Sequence, residues 1–150
     1  IEWAHAMAPG AKILLVEANS PSFANLLTAE QYAAAHANYV SNSWGSPDFA
    51  SETSYDSSFE QSGVSYFAAT GDTGGGVESP ASSPGVIAVG GTTLTFTAAG
   101  NLEAETAWSG GGGRCSPYET ASSAQSSWPR KSHSVHCASS PPMKSSFLPG

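Results

Sequence analysis

Three short and mostly apolar runs stand out in the first half of the chain. Residues 12–17 (KILLVE), 39–44 (YVSNSW) and 64–69 (VSYFAA) lie between segments rich in Gly, Pro, Asn or Ser. Runs of this length and composition are typical of strands that are buried in a sheet. The pattern therefore predicts three strands, of which residues 12–17 form the first.

Two amphipathic stretches separate these runs. Residues 22–36 place apolar side chains at roughly helical spacing behind a capping Ser20 or Ser22, and residues 51–61 end in a turn at Gly63. Both patterns predict helices. Strand, helix, strand, helix and strand with short connections predicts parallel strands and right-handed crossovers, hence a layered α/β fold with helices on the sheet faces.

Shorter elements are predicted at the two ends of this α/β unit. Residues 86–89 and 92–97 favour two short strands, and residues 98–101 favour a turn that leads into an antiparallel edge. Residues 1–8 have the composition of a helix interior with no capping residue before them. We therefore expect the natural start of the protein to lie upstream.

The charge pattern limits the possible partners. The chain has 150 residues, a formal charge of −7 and five Lys or Arg in all, too few cations for a nucleic-acid surface. No apolar stretch approaches the roughly 18 to 20 residues that span a bilayer, so no membrane segment is expected. An acidic surface of this kind is compatible with work at low pH, where protonation relieves repulsion between carboxylates.

The composition changes towards the end of the chain. After Trp128 the sequence consists mainly of Ser, Pro, Lys and His without apolar periodicity, so residues 129–150 are predicted to be an irregular and disordered tail. Cys115 and Cys137 are either a disulfide or two idle thiols. His133 and His136 beside Cys137 lack the ligand spacing of known zinc sites, so no metal site is predicted.

Candidate chemistry lies where the predicted strands end, because ligands of open α/β sheets bind at the carboxyl ends of the strands. Residues 70–76 (TGDTGGG) place Asp72 among glycines at such an end. A phosphate site is disfavoured, because the lysine of a P-loop is missing and Asp72 would repel phosphate. Two interpretations stay open, a tight turn with a side-chain cap and a protonated Asp72 that donates a hydrogen bond to an oxyanion.

Five blocks of the sequence resemble, in order and spacing, blocks of the sedolisin family of serine-carboxyl peptidases: WAHAMAPGAKILLVEA (3–18), VSNSWG (40–45), GVSYFAATGDTGG (63–75), PASSPGVIAVGGTTL (80–94) and ETAWSGGGG (105–113). The resemblance covers residues 1–128, which we interpret as a partial peptidase domain. It implies a subtilisin-like fold with a mainly parallel sheet flanked by helices, incomplete at both ends. It also implies a secreted, monomeric endopeptidase that cleaves peptide or protein substrates in acid through Ser, Glu and Asp.

The resemblance assigns roles to particular residues. Asp72 matches the aspartate that stabilises the oxyanion, and ATGD in place of an AAGN-like string favours sedolisins over subtilisins. The backbone of Ser43, Trp44 and Gly45 is expected to pair with an extended substrate, with Gly71 as a further substrate-binding residue. Trp44 itself is either a pocket wall or part of the core.

Other parts of the family pattern are missing from this sequence. The resemblance places the Glu/Asp acid pair immediately before Ile1, and Glu2 is out of register with it. The nucleophilic serine belongs to a downstream GTSAS-like turn, which does not occur here. We therefore expect the isolated chain to be inactive. Calcium is expected in the full-length family domain, but not on this chain.

Two other interpretations compete with that of a partial acid peptidase, and the end of the chain suggests a further hypothesis. The chain could be a non-catalytic peptide-binding relative. A subtilisin-type protease fragment is disfavoured, because neither His5 nor His36 lies in a recognisable catalytic histidine block. The loss of family pattern after Pro129 coincides with the change in composition, and this motivates the hypothesis of a frameshift there.

Overall fold

Two α-helices, one 3-10 helix and seven short strands follow one another along residues 1–123, the part of the chain that the computed structural model describes. In chain order they are α1 (Glu2–Met7), α2 (Phe23–His36), β1 (Tyr39–Asn42), β2 (Ser46–Pro47), the 3-10 helix (Glu52–Phe59), β3 (Ser65–Ala69), β4 (Glu78–Ser79), β5 (Val86–Val89), β6 (Thr92–Phe96) and β7 (Leu102–Ala107). The predicted frameshift and disordered tail over residues 129–150 lie outside the described residues.

A parallel sheet of three strands organises the fold. Its strand order is β1-β3-β5, and both pairs are parallel. Val40 is paired with Tyr66, which in turn is paired with Val86. The predicted α/β fold with a mainly parallel sheet is thus confirmed, and the strands predicted at 39–44, 64–69 and 86–89 all form.

The core lies on one face of this sheet. Val40, Tyr66 and Val86 are buried side by side, and Ala34 of α2 and Phe59 of the 3-10 helix cover them. The rings of Phe59 and Tyr66 meet edge to face with their centroids 5.8 Å apart, a favourable geometry for aromatic pairs. Both helices therefore pack against the same face.

The opposite face of the sheet is open in the described part of the chain. Tyr39, Ile87 and Val89 are 76%, 52% and 48% exposed. The sequence predicts helices on both faces of the sheet. Within residues 1–123 the helices that pack on the sheet cover one face only.

The predicted serine cap starts α2. Ser22 has extended backbone angles, and its hydroxyl oxygen accepts a hydrogen bond from the backbone N–H of Asn25. Ser20 accepts from the side-chain amide of Asn25 at 2.7 Å, so both candidate serines hold the first turn. Such caps satisfy backbone donors that have no partner within the helix.

One sequence prediction of secondary structure is wrong. Residues 12–17 form no strand, and Ile13, Leu14 and Leu15 are 43–62% exposed. An apolar run becomes a strand only when a neighbour completes its hydrogen bonds, and the parallel sheet ends at β1 without pairing to this run. The pattern alone could not show whether such a neighbour exists.

The helix predicted at residues 51–61 does form, over Glu52–Phe59, but it is a 3-10 helix and not an α-helix. The Ser51 carbonyl accepts from both the backbone N–H and the hydroxyl of Ser54, at 3.2 and 2.7 Å. Serine hydroxyls compete for backbone groups in this way, and the i to i+3 bond tightens the turn.

An exposed hairpin completes the described chain. β6 pairs antiparallel with β7 from Thr92 opposite Ala107 to Phe96 opposite Leu102, and the turn closes with a bond from Thr97 N–H to the Asn101 carbonyl. The strand and turn predicted at 92–101 are confirmed. No helix within residues 1–123 combines the length and apolar character that crossing a bilayer requires.

We expect Phe59→Ala to lower the free energy of unfolding by about 3–5 kcal/mol, because a buried ring and its contacts are lost from the core. Phe96→Ala is the matched control, since Phe96 is 55% exposed. Its cost should stay below about 1 kcal/mol. Urea unfolding followed by circular dichroism measures both, and equal losses would contradict the assignment of the core.

Candidate functional site

A cleft opens where the three parallel strands end. Its volume is about 320 Å³. The lining comes from the carboxyl ends of β1, β3 and β5 and from one aromatic residue after β7: Ser41, Asn42, Ser43, Phe67, Ala68, Ala69, Thr70, Gly71, Asp72, Val89, Gly90, Gly91 and Trp108. This is the position at which open α/β sheets bind ligands.

Asp72 stands in this cleft on the segment 70–76, here called the glycine loop. The backbone N–H of Thr70 donates to the Val89 carbonyl at 3.0 Å, which extends the sheet by one residue. The chain then turns at Gly71, whose φ of +92° lies in the left-handed region that favours glycine. This turn leaves the Asp72 side chain exposed to the cleft.

A second segment, residues 109–119, holds the glycine loop from behind and is here called the strap. Gly74 N–H donates to the Gly110 carbonyl at 2.8 Å and Gly75 N–H to the Gly111 carbonyl at 3.3 Å, while the Gly76 carbonyl accepts from the strap at 3.0 Å. At Gly112 a Cβ would collide with the Thr70 carbonyl oxygen. The two segments therefore touch backbone to backbone, and a side chain at Gly112 would force them apart.

The structure brings together three of the five sequence-predicted site residues. Ser43, Gly71 and Asp72 line the cleft, whereas Trp44 and Gly45 do not. Trp44 packs instead against the core, with its ring 5.8 Å from that of Phe23. Of the two interpretations open for Trp44, its placement agrees with the core.

A buried polar pair supports the edge of the cleft and was missed by sequence reasoning. Asn42 lines the cleft, donates from its side-chain amide to Glu30 at 3.2 Å and accepts from the Trp44 indole at 3.0 Å. Burial raises the pKa of Glu30, and the hydrogen bond from Asn42 partly offsets that rise. The signal in the sequence was a carboxylate on the apolar face of the predicted helix 22–36.

Glu78 of β4 is the other residue that the sequence did not reveal. A Cβ at Gly45 would lie 2.8 Å from the Glu78 Oε2, and a Cβ at Gly71 would collide with the same carboxylate. The carboxylate therefore fills the space between the two predicted substrate-binding segments. Its position depends on the pairing of β2 with β4, which no local sequence pattern indicates.

The remaining candidate groups lie away from the cleft. His5 is exposed on α1, and His36 stacks on Tyr32 at the end of α2 with ring centroids 4.2 Å apart. Cys115 is disulfide-bonded. Cys137, the partner considered for it, lies outside the described residues, as do the histidines considered as zinc ligands.

Known proteins share this sequence and architecture. A family model described as the subtilase family matches residues 2–143. Kumamolisin of Bacillus sp. (strain MN-32) is 38% identical over 130 residues, covering 74% of this chain and 23% of kumamolisin. Pseudomonas sedolisin, described as a serine-carboxyl proteinase complexed with two molecules of pseudo-iodotyrostatin, has a TM-score of 0.58 and 28% identity, covering 74% of this chain and 39% of the other. The chain thus spans less than half of either relative.

We expect Gly112→Ala to destabilise the chain by about 1–3 kcal/mol, because its Cβ has to push the strap away from the glycine loop. Gly113→Ala is the matched control, since no atom lies within 4 Å of a Cβ there, and its effect should stay within about 0.5 kcal/mol. Thermal unfolding of both variants compares them. Equal stability of the two would show that the close approach at Thr70 does not exist.

Proposed function

Because this chain belongs to the subtilase family, we propose that it forms the oxyanion-stabilising side of a serine-type peptidase active in acid. The resemblance to sedolisins and the subtilisin-like fold predicted from the sequence are confirmed by the family match and by both relatives. The chain spans only part of those relatives, so the activity, the acidic pH range and the peptide substrate of the whole protein belong to the proposal.

The observation that carries this proposal is the place of Asp72. Its side chain reaches the cleft at the carboxyl end of β3, between the ends of β1 and β5. A protonated carboxyl group there can donate a hydrogen bond to the negative oxygen of a tetrahedral intermediate. Acid conditions supply the proton.

The surroundings of Asp72 suit an extended peptide. Residues 43–45 follow β1 directly and belong to no strand, so their backbone is a candidate for pairing with a substrate strand. Glu78 fills the space between Gly45 and Gly71 and lines a neighbouring cavity of about 120 Å³, not the cleft itself.

The nucleophile of the proposed reaction is not found in the described cleft. Ser43 lines it, but no carboxylate of residues 1–123 accepts a hydrogen bond from its hydroxyl. Serines that do bond to carboxylates lie elsewhere, among them Ser83, which donates to Asp56 at 2.6 Å. A serine without a base is a poor nucleophile, which supports the expectation that the isolated chain does not turn over substrate.

The sedolisin resemblance implies calcium for the whole domain. Within residues 1–123, no group of three or more His, Cys, Asp or Glu side chains is arranged so that it could hold a metal ion.

In the complete peptidase that contains this chain, Asp72→Ala should lower kcat by about 10²–10³-fold with little change in KM, because one oxyanion donor is lost. Asp72→Asn keeps a hydrogen-bond donor that does not ionise, so its kcat should fall less than that of Asp72→Ala. The difference in kcat between Asp72→Asn and the unmodified enzyme should shrink as the pH rises, because Asp72 itself then loses its proton. Glu103→Gln, on the exposed strand β7, is the control. Initial rates on a peptide substrate from pH 3 to pH 7 test these expectations. An Asp72→Ala enzyme with the full rate would refute the role of Asp72 in stabilising the oxyanion.

The isolated chain should bind an acid-soluble peptide without cleaving it. Mass spectrometry of the peptide after incubation at pH 4 measures cleavage, and isothermal titration measures binding. Cleavage that persists in the Asp72→Ala chain points to a contaminant. Cleavage that is lost in that variant would mean that a nucleophile is present in this chain, contrary to the proposal.

A further inference from the structure

Four carboxylates outside the cleft meet without a basic partner. Glu52 and Asp56 come from the 3-10 helix, Asp48 from the segment before it, and Glu119 from the strap. Glu52 is only 2% exposed, and Asp48 and Glu119 each have a fully buried oxygen with no hydrogen-bond donor in reach. The single ion pair within residues 1–123 joins the chain N-terminus to Glu2, so none of the four carboxylates forms a salt bridge with a described basic residue.

The carboxylates lie close to one another in two pairs. The Ser116 hydroxyl lies 2.8 Å from an oxygen of Asp48 and 3.5 Å from an oxygen of Glu52, so one hydroxyl serves both carboxyl groups. Burial raises the pKa of Glu119, and the charge of Asp56 adds to that rise. A proton on one member of a pair gives the buried oxygens a donor, whereas two ionised members bury like charges side by side, which is costly.

Hydroxyl groups hold the remaining positions around the cluster. Ser82 and Ser83 donate to Glu52 and Asp56 at 3.3 and 2.6 Å. Ser116 of the strap donates to Asp48 at 2.8 Å and accepts from the backbone N–H of Glu119 at the same distance. Neutral donors of this kind orient the carboxyl groups but cannot neutralise them.

The strap connects this cluster to the oxyanion region. Its far end, Ser116 to Glu119, contacts the acidic cluster, and its near end, Gly110 to Gly113, is hydrogen-bonded to the glycine loop that carries Asp72. Between the two ends the strap contains no helix or strand. Movement of the far end can therefore reach the near end over a few residues.

We propose that the strap is an acid-dependent latch. The two carboxyl pairs, while they hold a proton, keep the strap closed on the 3-10 helix. When these protons leave, the strap opens and releases the glycine loop beside Asp72. The latch needs no bound ligand other than the proton. It is independent of whether the chain performs proteolysis.

The direction of the pH dependence follows from the pKa values. Burial raises the pKa of Glu52 to about 8, with the hydrogen bond and charge of Asp48 adding to the rise. Burial likewise raises the pKa of Glu119 to about 7, with the charge and hydrogen bond of Asp56 adding to it. A group whose pKa is higher when folded stabilises the fold fully below its unfolded value of 4.5, and this stabilisation is lost as the pH rises through the folded value. The latch is thus closed near pH 4.5 and opens between about pH 7 and pH 8.

Arg114 is a basic residue that lies near the acidic cluster. Arg114 and Glu78 line a cavity of about 120 Å³ together with Glu119, Ser116 and Ser82. Arg114 forms no salt bridge with any described carboxylate, and it is exposed. Solvent screens an exposed charge, so Arg114 does not take the place of a buried counter-ion.

Hydrogen exchange on the 150-residue chain tests the latch. Protection factors, each referred to the unfolded chain at the same pH, are measured at pH 4.5 and pH 8 for the strap, the glycine loop and the β6–β7 hairpin. The hairpin is the reference and not α2, because α2 carries Glu30, whose pKa is also raised by burial. We expect the strap and the glycine loop to lose on the order of 10-fold or more in protection at pH 8, with the hairpin unchanged. Unchanged protection of the strap, or an equal loss in the hairpin, would overturn the proposal.

Variants separate the carboxyl pairs from other titrating groups. Glu52→Gln/Glu119→Gln keeps hydrogen-bonding amides at both positions but removes the titration, so strap protection should become the same at both pH values. Glu103→Gln, on the exposed hairpin, should respond as the unmodified chain does. A double variant that still loses strap protection at pH 8 would refute the latch. If that variant does not fold, the comparison of the strap with the β6–β7 hairpin in the unmodified chain tests the latch by itself.

Discussion

The parallel pairing of β1, β3 and β5 is the constraint on which the site depends. The carboxyl ends of parallel strands lie at the same edge of a sheet, so the strand pairing alone brings together the segments after Asn42, Ala69 and Val89. The same register places Val40, Tyr66 and Val86 side by side under the helices. Burial of one face of the sheet and assembly of the cleft are therefore two results of one set of backbone hydrogen bonds.

Within residues 1–123, polar groups are held by hydrogen bonds more than by opposite charges, since these residues form a single ion pair. Asn42 connects the buried Glu30 to the Trp44 indole, and serine hydroxyls connect the carboxylates around the 3-10 helix. Ion pairs to carboxylates weaken as acid protonates them. Carboxyl pairs that share a proton become stronger under the same conditions, so the internal polar contacts are matched to the acidic pH proposed for the reaction.

Much of the fold could be predicted because its signals are local. The serine cap of α2, the apolar runs of β1 and β3 and the glycines that follow Thr70 are each visible within a few residues. The error at residues 12–17 is non-local, because this run lacks a strand partner. The type of the helix at residues 52–59 has a local signal in the bond from Ser54 to Ser51, but helical spacing alone does not show it. The positions of Glu78 and Glu119 could not be predicted, since distant segments of the chain bring them to their neighbours.

The β6–β7 hairpin offers a practical consequence for experiments on the cleft. Every residue from Thr92 to Ala107 is exposed, and a side chain at Gly100 would meet open space. Yet the hairpin starts at Gly91 and ends at Trp108, two residues that line the cleft. A fluorescent label or an inserted tag at the hairpin tip would stand clear of the substrate path while remaining rigidly connected, by two paired strands, to the cleft wall.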